Sequence, residues 1–357
     1  MKITLAMIVK NESKVIARAL LSVMHLIDSF VIFDTGSEDD TPQIARACLA
    51  GIPGHIEYGE FEDFAMSRTR YLELAREKFP ESDYVLVMDA DEVMIDSLFS
   101  KDELTKDMYS LSYLGDNDYR YPVIFRNSKP FYYKYPTHEI PVCDEPYTSG
   151  TIDSLVLDHR HDGGTINEKY DRDVRLISSY LKSHPGDPRM TFYLANSYWD
   201  MGSLILAKEY YLSRATMGGW SQEVFVSYYK AAIAYLQLGY ETDFIKYSLL
   251  AFYACPDRMD SLYELGKFYN SKSMYTVADI FLAKASRMEY PHEPLFFSKA
   301  IYQYLIDIEY AVCSYYLGDS SKAVEYNQAV ICCDNAPKWV KELATKNLSF
   351  SLMTSTA

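Results

Sequence analysis

Four segments in the second half of the chain carry the same residue types in the same register, a pattern that only stacked helical units satisfy. Ala195, Ala232, Gly266 and Ala311 share one position. Tyr198, Tyr235, Tyr269 and Ser314 follow three residues later, and Gly202, Gly239, Ser273 and Gly318 four beyond that. Ala207, Phe244, Ala278 and Ala323 come next, then Tyr210, Tyr247, Phe281 and Tyr326. The steps are 37, 34 and 45 residues. Small residues let helices cross closely, aromatics fill the groove between them, and the Gly/Ser position turns the chain, so each unit reads as helix-turn-helix and the series as a solenoid. The longest step contains EYPHEPLFFSKAIYQYLID, read as an insertion.

The first half has a different period. ITLAMIV reads as a buried strand, SKVIARALLSVMHL as an amphipathic helix and SFVIFDTGS as a second strand. EDDTPQIARACLA and DFAMSRTRYLELAREKF read as helices, HIEYG and DYVLVMDAD as strands. Strands alternating with helices imply a mostly parallel sheet, whose ligands gather beyond the carboxyl ends of the strands. Lys10-Asn11-Glu12, Asp34-Thr35-Gly36-Ser37 and Asp89-Ala90-Asp91 all fall at such ends. At 357 residues the chain is long enough for two cores. The expected division is 1–170 for an α/β, Rossmann-like sheet domain and 171–357 for the all-α repeats.

Charge is unevenly placed. Residues 1–165 hold 16 Lys/Arg against 29 Asp/Glu, and residues 166–357 hold 19 against 21. The acidic excess in the first half argues against phosphate-rich polymers as default partners. An anionic small ligand there needs a cation or a few aimed arginines. The six cysteines show no C-x-x-C spacing, so free thiols in a reducing interior are expected. With no leader and no run of eighteen apolar residues, the expected location is the cytoplasm, without a membrane span.

The sharpest chemical feature is LVMDADEVM, where Asp89 and Asp91 follow a strand one residue apart. Two such carboxylates can meet one hard divalent cation, Mg²⁺ or Mn²⁺, which keeps positions open for substrate phosphates and neutralises a leaving diphosphate. Alone, D-x-D reads better as a solvated acidic turn. Its companions change the balance. AMIVKNESKVIARALLSV, FVIFDTGSEDDTPQIA, FEDFAMSRTR, YVLVMDADE, YPTHEIPV and DHRHDGG occur in that order. With them, the chain resembles glycosyltransferase family 2 enzymes of the GT-A type, in the subgroup carrying tetratricopeptide-like repeats; the resemblance spans roughly residues 3 to 215.

The resemblance implies roles for particular residues. Met7 to Glu12, including Val9, Asn11 and Glu12, lines the nucleotide base, and Asp34 bonds base or ribose, although Asp34 also reads as a turn-initiating Asp. Asp89 touches ribose or metal, Ala90 lies beside the nucleotide, and Asp91 binds the metal. His161 is the third metal ligand, with His159 a rival. Arg68 clamps the diphosphate, or else is a surface arginine paired with Glu62 or Asp63; the family's usual Asn two residues on is Arg70 here. Glu139 is the candidate general base, with Asp144 and Glu145 as alternatives, and His138 either positions Glu139 or donates to a phosphate of the nucleotide sugar. In YRYPVIFRNSKPFYYKYP, Arg120, Arg126, Lys129 and Lys134 alternate with aromatics, a pattern that fits sugar or phosphate contacts and equally an edge hairpin.

The implied activity is metal-dependent, inverting transfer of a glycosyl group from a nucleotide-diphosphate sugar, with UDP the commonest nucleotide in the family. The acceptor stays open among a protein side chain, a glycan, a lipid-linked sugar and a modified nucleic-acid base. A nucleotidyltransferase would want a Gly-rich phosphate loop after the first strand, which Lys10-Asn11-Glu12 is not. A non-catalytic scaffold, using the repeats to bind a protein partner or a second copy, is the alternative of a different class.

Overall fold

The computed structural model describes residues 1–163, 169–291 and 294–354. It divides into two compact units, Met1–Ser183 and His184–Ala357. The helix Lys169–Ser183 belongs to the first of them, whereas the expected boundary at 170 put it with the repeats.

The first unit runs β1 (Ile3–Val9), α1 (Ile16–Val23), β2 (Ser29–Asp34), α2 (Thr41–Cys48), β3 (Gly54–Tyr58), α3 (Phe64–Lys78) and β4 (Tyr84–Val87). Then follow β5 (Glu92–Asp96), β6 (Met108–Tyr113), β7 (Asp116–Arg126), β8 (Tyr132–Lys134), β9 (Ile140–Val142), β10 (Ser149–His159) and α4 (Lys169–Ser183). An eight-stranded sheet has the order β3-β2-β1-β4-β7-β6-β10-β5. Its first four strands are parallel, as is the β6–β10 pair, while β7 pairs antiparallel with both β4 and β6, and β5 antiparallel with β10. The central strands are apolar along their whole length because helices cover both faces of a parallel sheet; Leu5, Ala6 and Met7 of β1 and Val31 and Ile32 of β2 are fully buried. YRYPVIFR is an interior strand rather than an edge hairpin. Its arginines make ion pairs, Arg120 with Asp153 and Arg126 with Asp107, and Lys129 just after it pairs with Glu145.

The second unit consists of α5 (Pro188–Asp200), α6 (Leu204–Thr216), α7 (Ser221–Gln237), α8 (Glu241–Ala254), α9 (Asp260–Ser271), α10 (Tyr275–Ala285), α11 (Ile306–Tyr316), α12 (Ser320–Cys332) and α13 (Lys338–Thr354). The four repeats read from the sequence are the hairpins α5–α6, α7–α8, α9–α10 and α11–α12. Each first helix closes with the same bonds. The N–H groups of Ser203, Tyr240, Met274 and Asp319 reach the carbonyls of Tyr198, Tyr235, Tyr269 and Ser314, all at 2.9 Å. That six-to-one bond, with a left-handed residue before it, is the Schellman motif. Gly202, Gly239 and Gly318 occupy the left-handed position at φ +73°, +84° and +82°. Aromatics of the two helices stack in three of the hairpins: Tyr198 on Tyr210, Tyr235 on Tyr247 and Tyr269 on Phe281, with ring centroids 5.4, 5.2 and 5.8 Å apart. Gly266 admits Leu282, whose Cδ2 would lie 2.4 Å from any Cβ there.

Ser273 holds the left-handed position of the third hairpin at φ +58°, where its Cβ is strained. Ser273→Gly is therefore expected to stabilise the chain by about 0.5 to 1 kcal/mol, read as a raised urea midpoint at unchanged slope. A neutral or lower midpoint would mean that the serine is not strained.

Candidate functional site

The loops after β1 and β2 are knitted together by short hydrogen bonds. Val9 accepts the Thr35 N–H at its carbonyl (3.0 Å). Asn11, left-handed at φ +57°, donates its N–H to Ser37 Oγ (3.0 Å) and accepts the Glu38 N–H at Oδ1 (2.8 Å). Glu12 donates its N–H to Thr41 Oγ1 (2.7 Å), and Ser13 to Asp39 Oδ2 (3.1 Å). Asp34 lies under this lattice with no solvent exposure. Its Oδ1 accepts the N–H groups of Gly36 (2.9 Å) and Ser37 (2.7 Å), the contact of a turn-initiating aspartate. Its Oδ2 is buried without a hydrogen-bond partner among the described residues.

Asp39 was missed in the sequence. Burial pushes its carboxyl up, but bonds from Ser13 and Thr41 outweigh that and hold it down at about 2. The stability carried by the ionised form is complete above the ordinary carboxyl range near pH 4, and is lost as pH falls through about 2. Asp39→Ala is expected to cost about 1 kcal/mol at pH 7, a figure reduced for solvent screening, and progressively less between pH 4 and pH 2. Urea titrations at several pH values check it; a cost independent of pH would refute the assignment.

The loop after β4 carries the acidic cluster. Asp63 caps α3 by accepting the Met66 N–H (2.7 Å), and one turn later the buried face of that helix presents Arg68. Arg68 is neither a surface arginine nor paired with Glu62 or Asp63. Its Nη2 donates to both oxygens of Asp89 (2.8 and 2.9 Å), and its Nη1 to Tyr71 Oη (3.3 Å). Its Nε lies 2.6 Å from Glu139 Oε1, close enough for an ion pair although the angle falls outside hydrogen-bond geometry. The Tyr133 ring lies 6.0 Å from the guanidinium. Burial works against the charge, but Asp89 and Glu139 outweigh it and hold Arg68 protonated. Arg68 thus bridges the β4 loop to the segment after β8. The departure at Arg70 also has a use, since that side chain pairs with Glu57 and Glu77 at the helix surface.

Glu92, the third carboxylate of that stretch and given no role by the sequence, supports the loop from behind. It is buried and accepts the Asp89 N–H (2.9 Å) and the Tyr113 hydroxyl (3.1 Å). Burial, then the Asp89 charge, pushes its carboxyl up to about 7. Its position directly after D-x-D was the available signal; Tyr113 had none, because only the sheet brings it there.

Asp91 and His159 meet through Oδ2 and Nε2 at 3.1 Å. Burial pushes the Asp91 carboxyl up, and His159 pulls it below the ordinary range; the Asp91 bond raises His159 in turn. His161 does not replace His159 in this pair but stacks on it, with ring centroids 3.9 Å apart. The loop carrying both is held over Asp91 by the Arg160 N–H to the Asp91 carbonyl (3.1 Å) and by the two-pronged Arg18–Asp162 pair (2.8 and 2.6 Å). A Cβ on Gly163 would fall 2.8 Å from Asp91 Cβ and 2.9 Å from Glu12 Oε2, so a glycine is needed there. Gly164 of the same motif lies outside the described residues. His138 is exposed at φ +51°. Asp144 and Glu145 are exposed, engaged by Tyr132 and Lys129, and Glu139 alone of the three base candidates faces Arg68. Ala90 is buried between the two aspartates.

Among the described residues no group of three His, Cys, Asp or Glu side chains is arranged to hold a metal ion. The donors that converge are Asp91, His159 and, stacked beside it, His161, with Asp89 committed to Arg68. This set fits a cation that takes one or two protein ligands and completes its shell with water and substrate phosphate. Among the described residues no helix is long and apolar enough to cross a membrane, and all six cysteines are free.

Residues 4–102 match the sequence model of glycosyl transferase family 2. A TPR repeat-containing protein of Synechococcus elongatus is 35% identical over 94 residues, covering 26% of this chain and 21% of that protein. The matched stretch thus spans about a fifth of that relative's length. Similar solved structures include S. aureus TarS 1-349 (13% identity, 71% of this chain and 91% of that one, TM-score 0.37). YrrB, a TPR protein with an unusual peptide-binding site, is another (15% identity, 50% of this chain and 84% of that one, TM-score 0.37). The chain carries a glycosyl transferase family 2 domain over residues 4–102 and, after it, tetratricopeptide-like helical repeats.

Proposed function

We infer that this chain is a metal-dependent, inverting glycosyltransferase that takes its sugar from a nucleotide-diphosphate donor, UDP being the nucleotide to try first. The observation that carries the reading is the meeting of Asp89, Arg68 and Glu139 where the β4 loop of a family 2 domain faces the segment after β8, with Asp91 two residues on and paired with His159. Asp34 supports a nucleotide there, since its buried Oδ2 is an acceptor awaiting a donor such as a ribose hydroxyl or base N–H.

In this reading Asp91, with His159 or His161, holds Mn²⁺ or Mg²⁺, which when bound neutralises charge on the departing diphosphate. Val9, Asn11 and Glu12 wall the nucleotide. Glu139 accepts the acceptor hydroxyl's proton as its oxygen attacks the anomeric carbon, and the bond to the diphosphate breaks in the same displacement. Arg68 enters the site already paired, so its part is to hold Asp89 and Glu139 in place beside the diphosphate. His138, exposed and next to Glu139 in the chain, positions Glu139 or donates to a phosphate. The acceptor is drawn from protein, glycan, lipid-linked sugar or modified nucleic-acid base.

Screening nucleotide sugars for metal-dependent hydrolysis tests the reading without an acceptor. Calorimetry with UDP and Mn²⁺ separates it from a scaffold that only binds a partner on its repeats. The enzyme should show nucleotide binding that EDTA weakens; absence of metal-linked binding across all common nucleotide diphosphates would favour the scaffold.

A further inference from the structure

Glu139 closes a hairpin that cannot hold its own shape. β8 and β9 have three residues each and form a two-stranded sheet apart from the main one, and an isolated pair of strands is marginal in water. The loop between them, Tyr135-Pro136-Thr137-His138-Glu139, contains no glycine, yet Tyr135 and His138 adopt φ +81° and +51°. Left-handed backbone is unfavourable for residues with a Cβ and persists only where the surroundings impose it.

Two helices impose it. From α3, Thr69 Oγ1 accepts the Tyr133 N–H (2.9 Å), and the Phe64 N–H reaches the Pro136 carbonyl (3.0 Å). From α4, the Tyr180 ring meets Tyr135 edge-on with centroids 5.9 Å apart, and the Arg172 guanidinium lies 4.8 Å from the centre of the Phe64 ring. Thr137, 5% exposed, donates its hydroxyl to Asp173 Oδ1 of α4 (3.4 Å).

Asp173 is the costly member of this set. It is 2% exposed, and its Oδ1 has Thr137 Oγ1 and Arg172 Nε at 3.4 and 3.5 Å, both long contacts for a carboxylate taken out of water. Burial pushes its carboxyl up, although Arg172, Lys169 and Thr137 favour the charge. A helix packed for stability alone is served better by an apolar residue at such a position. The contact that Asp173 makes instead is to the residue two positions before Glu139.

We propose that Asp173 is a positioning residue for Glu139: through the Thr137 hydroxyl, α4 fixes the left-handed turn that aims the Glu139 carboxylate, while Arg68 holds the carboxylate itself. This rests on the reading of Glu139 as the general base, and it brings into the site a helix beyond the residues 4–102 that match the family.

The test compares Thr137→Val, Thr137→Ser, Asp173→Leu and Asp173→Asn in the full chain. The Val and Leu variants should hydrolyse the nucleotide sugar with a kcat at least about tenfold lower, because a small displacement of a reacting group is expensive. KM and Mn²⁺-linked UDP affinity should stay as in the wild type. Ser keeps the hydroxyl and Asn an accepting oxygen, so both should retain most of the turnover. The double variant Thr137→Val/Asp173→Leu should lose no more than the worse single, since each breaks the same contact. Equal losses with Ser and Val, additive losses, or a loss expressed in KM or UDP affinity would overturn the proposal. Hydrogen exchange decides the mechanical half without any substrate: in Thr137→Val the His138 and Glu139 amides should exchange faster while α3 and α4 stay protected. Unchanged exchange at those two amides, or faster exchange throughout both helices, counts against a positioning role. A wild-type chain that neither binds UDP with Mn²⁺ nor hydrolyses any nucleotide sugar removes the base itself, and faster exchange at the loop would then mark Asp173 as a structural clamp only.

Discussion

Arg68→Met is expected to destabilise the first unit by about 3 kcal/mol, because it leaves carboxylates facing a buried space with no cation between them. The side chains of Arg68 and Glu139 are only 9% and 10% exposed, so little solvent screens the pair, whereas Asp89 at 35% can turn partly to water, which keeps the figure at the low end. Arg68→Lys is no substitute. A single ammonium cannot bond both oxygens of Asp89 and reach Glu139 as the planar guanidinium does. Glu139→Gln in the Arg68→Met background should recover about 1 to 2 kcal/mol, the coupling expected of residues in direct contact. Urea unfolding of the four chains measures this cycle. Additive losses would show that the arginine does not act on Glu139, and the bridging role would fall with that.

Asp91→Asn is expected to reduce sugar transfer, or donor hydrolysis in its absence, by about a thousandfold at saturating Mn²⁺, the scale lost when an electrostatic group at a leaving charge is removed. The amide keeps the size of the carboxylate and can still bond His159, so the loop after β4 should stay ordered and the unfolding midpoint should move little. What goes is the negative charge that a divalent cation requires. Calorimetry should show loss of the metal-linked part of nucleotide binding while a metal-independent remainder, from the loops after β1 and β2, persists. Wild-type turnover by this variant would rule out the metal assignment at Asp91.

Helix and strand positions were legible because they depend on period. The apolar runs of β1 and β2, the amphipathic face of α1 and the Gly/Ser turn positions of the repeats encode local geometry. D-x-D was legible as a carboxylate pair at a strand end for the same reason. Partner choice was not. Arg68 was read as free for diphosphate or as a surface arginine, and it is instead held by Asp89 and Glu139, which lie 21 and 71 positions away. His159 rather than His161 meets Asp91, and Tyr113 supports Glu92 across the sheet. The basic, aromatic segment at β7 looked like an open surface and is an interior strand whose arginines serve ion pairs.

The amino-acid sequence alone therefore determined the first four strands, their alternation with helices, the repeat and the carboxylate pair after β4, because hydrophobic period, turn stereochemistry and residue type act over a few neighbouring positions. Only the tertiary structure decided which charges neutralise one another and which histidine faces the carboxylate. Those outcomes depend on distances set by sheet order and helix packing, and the cost of a buried, unpaired charge selects among them only after the chain has folded.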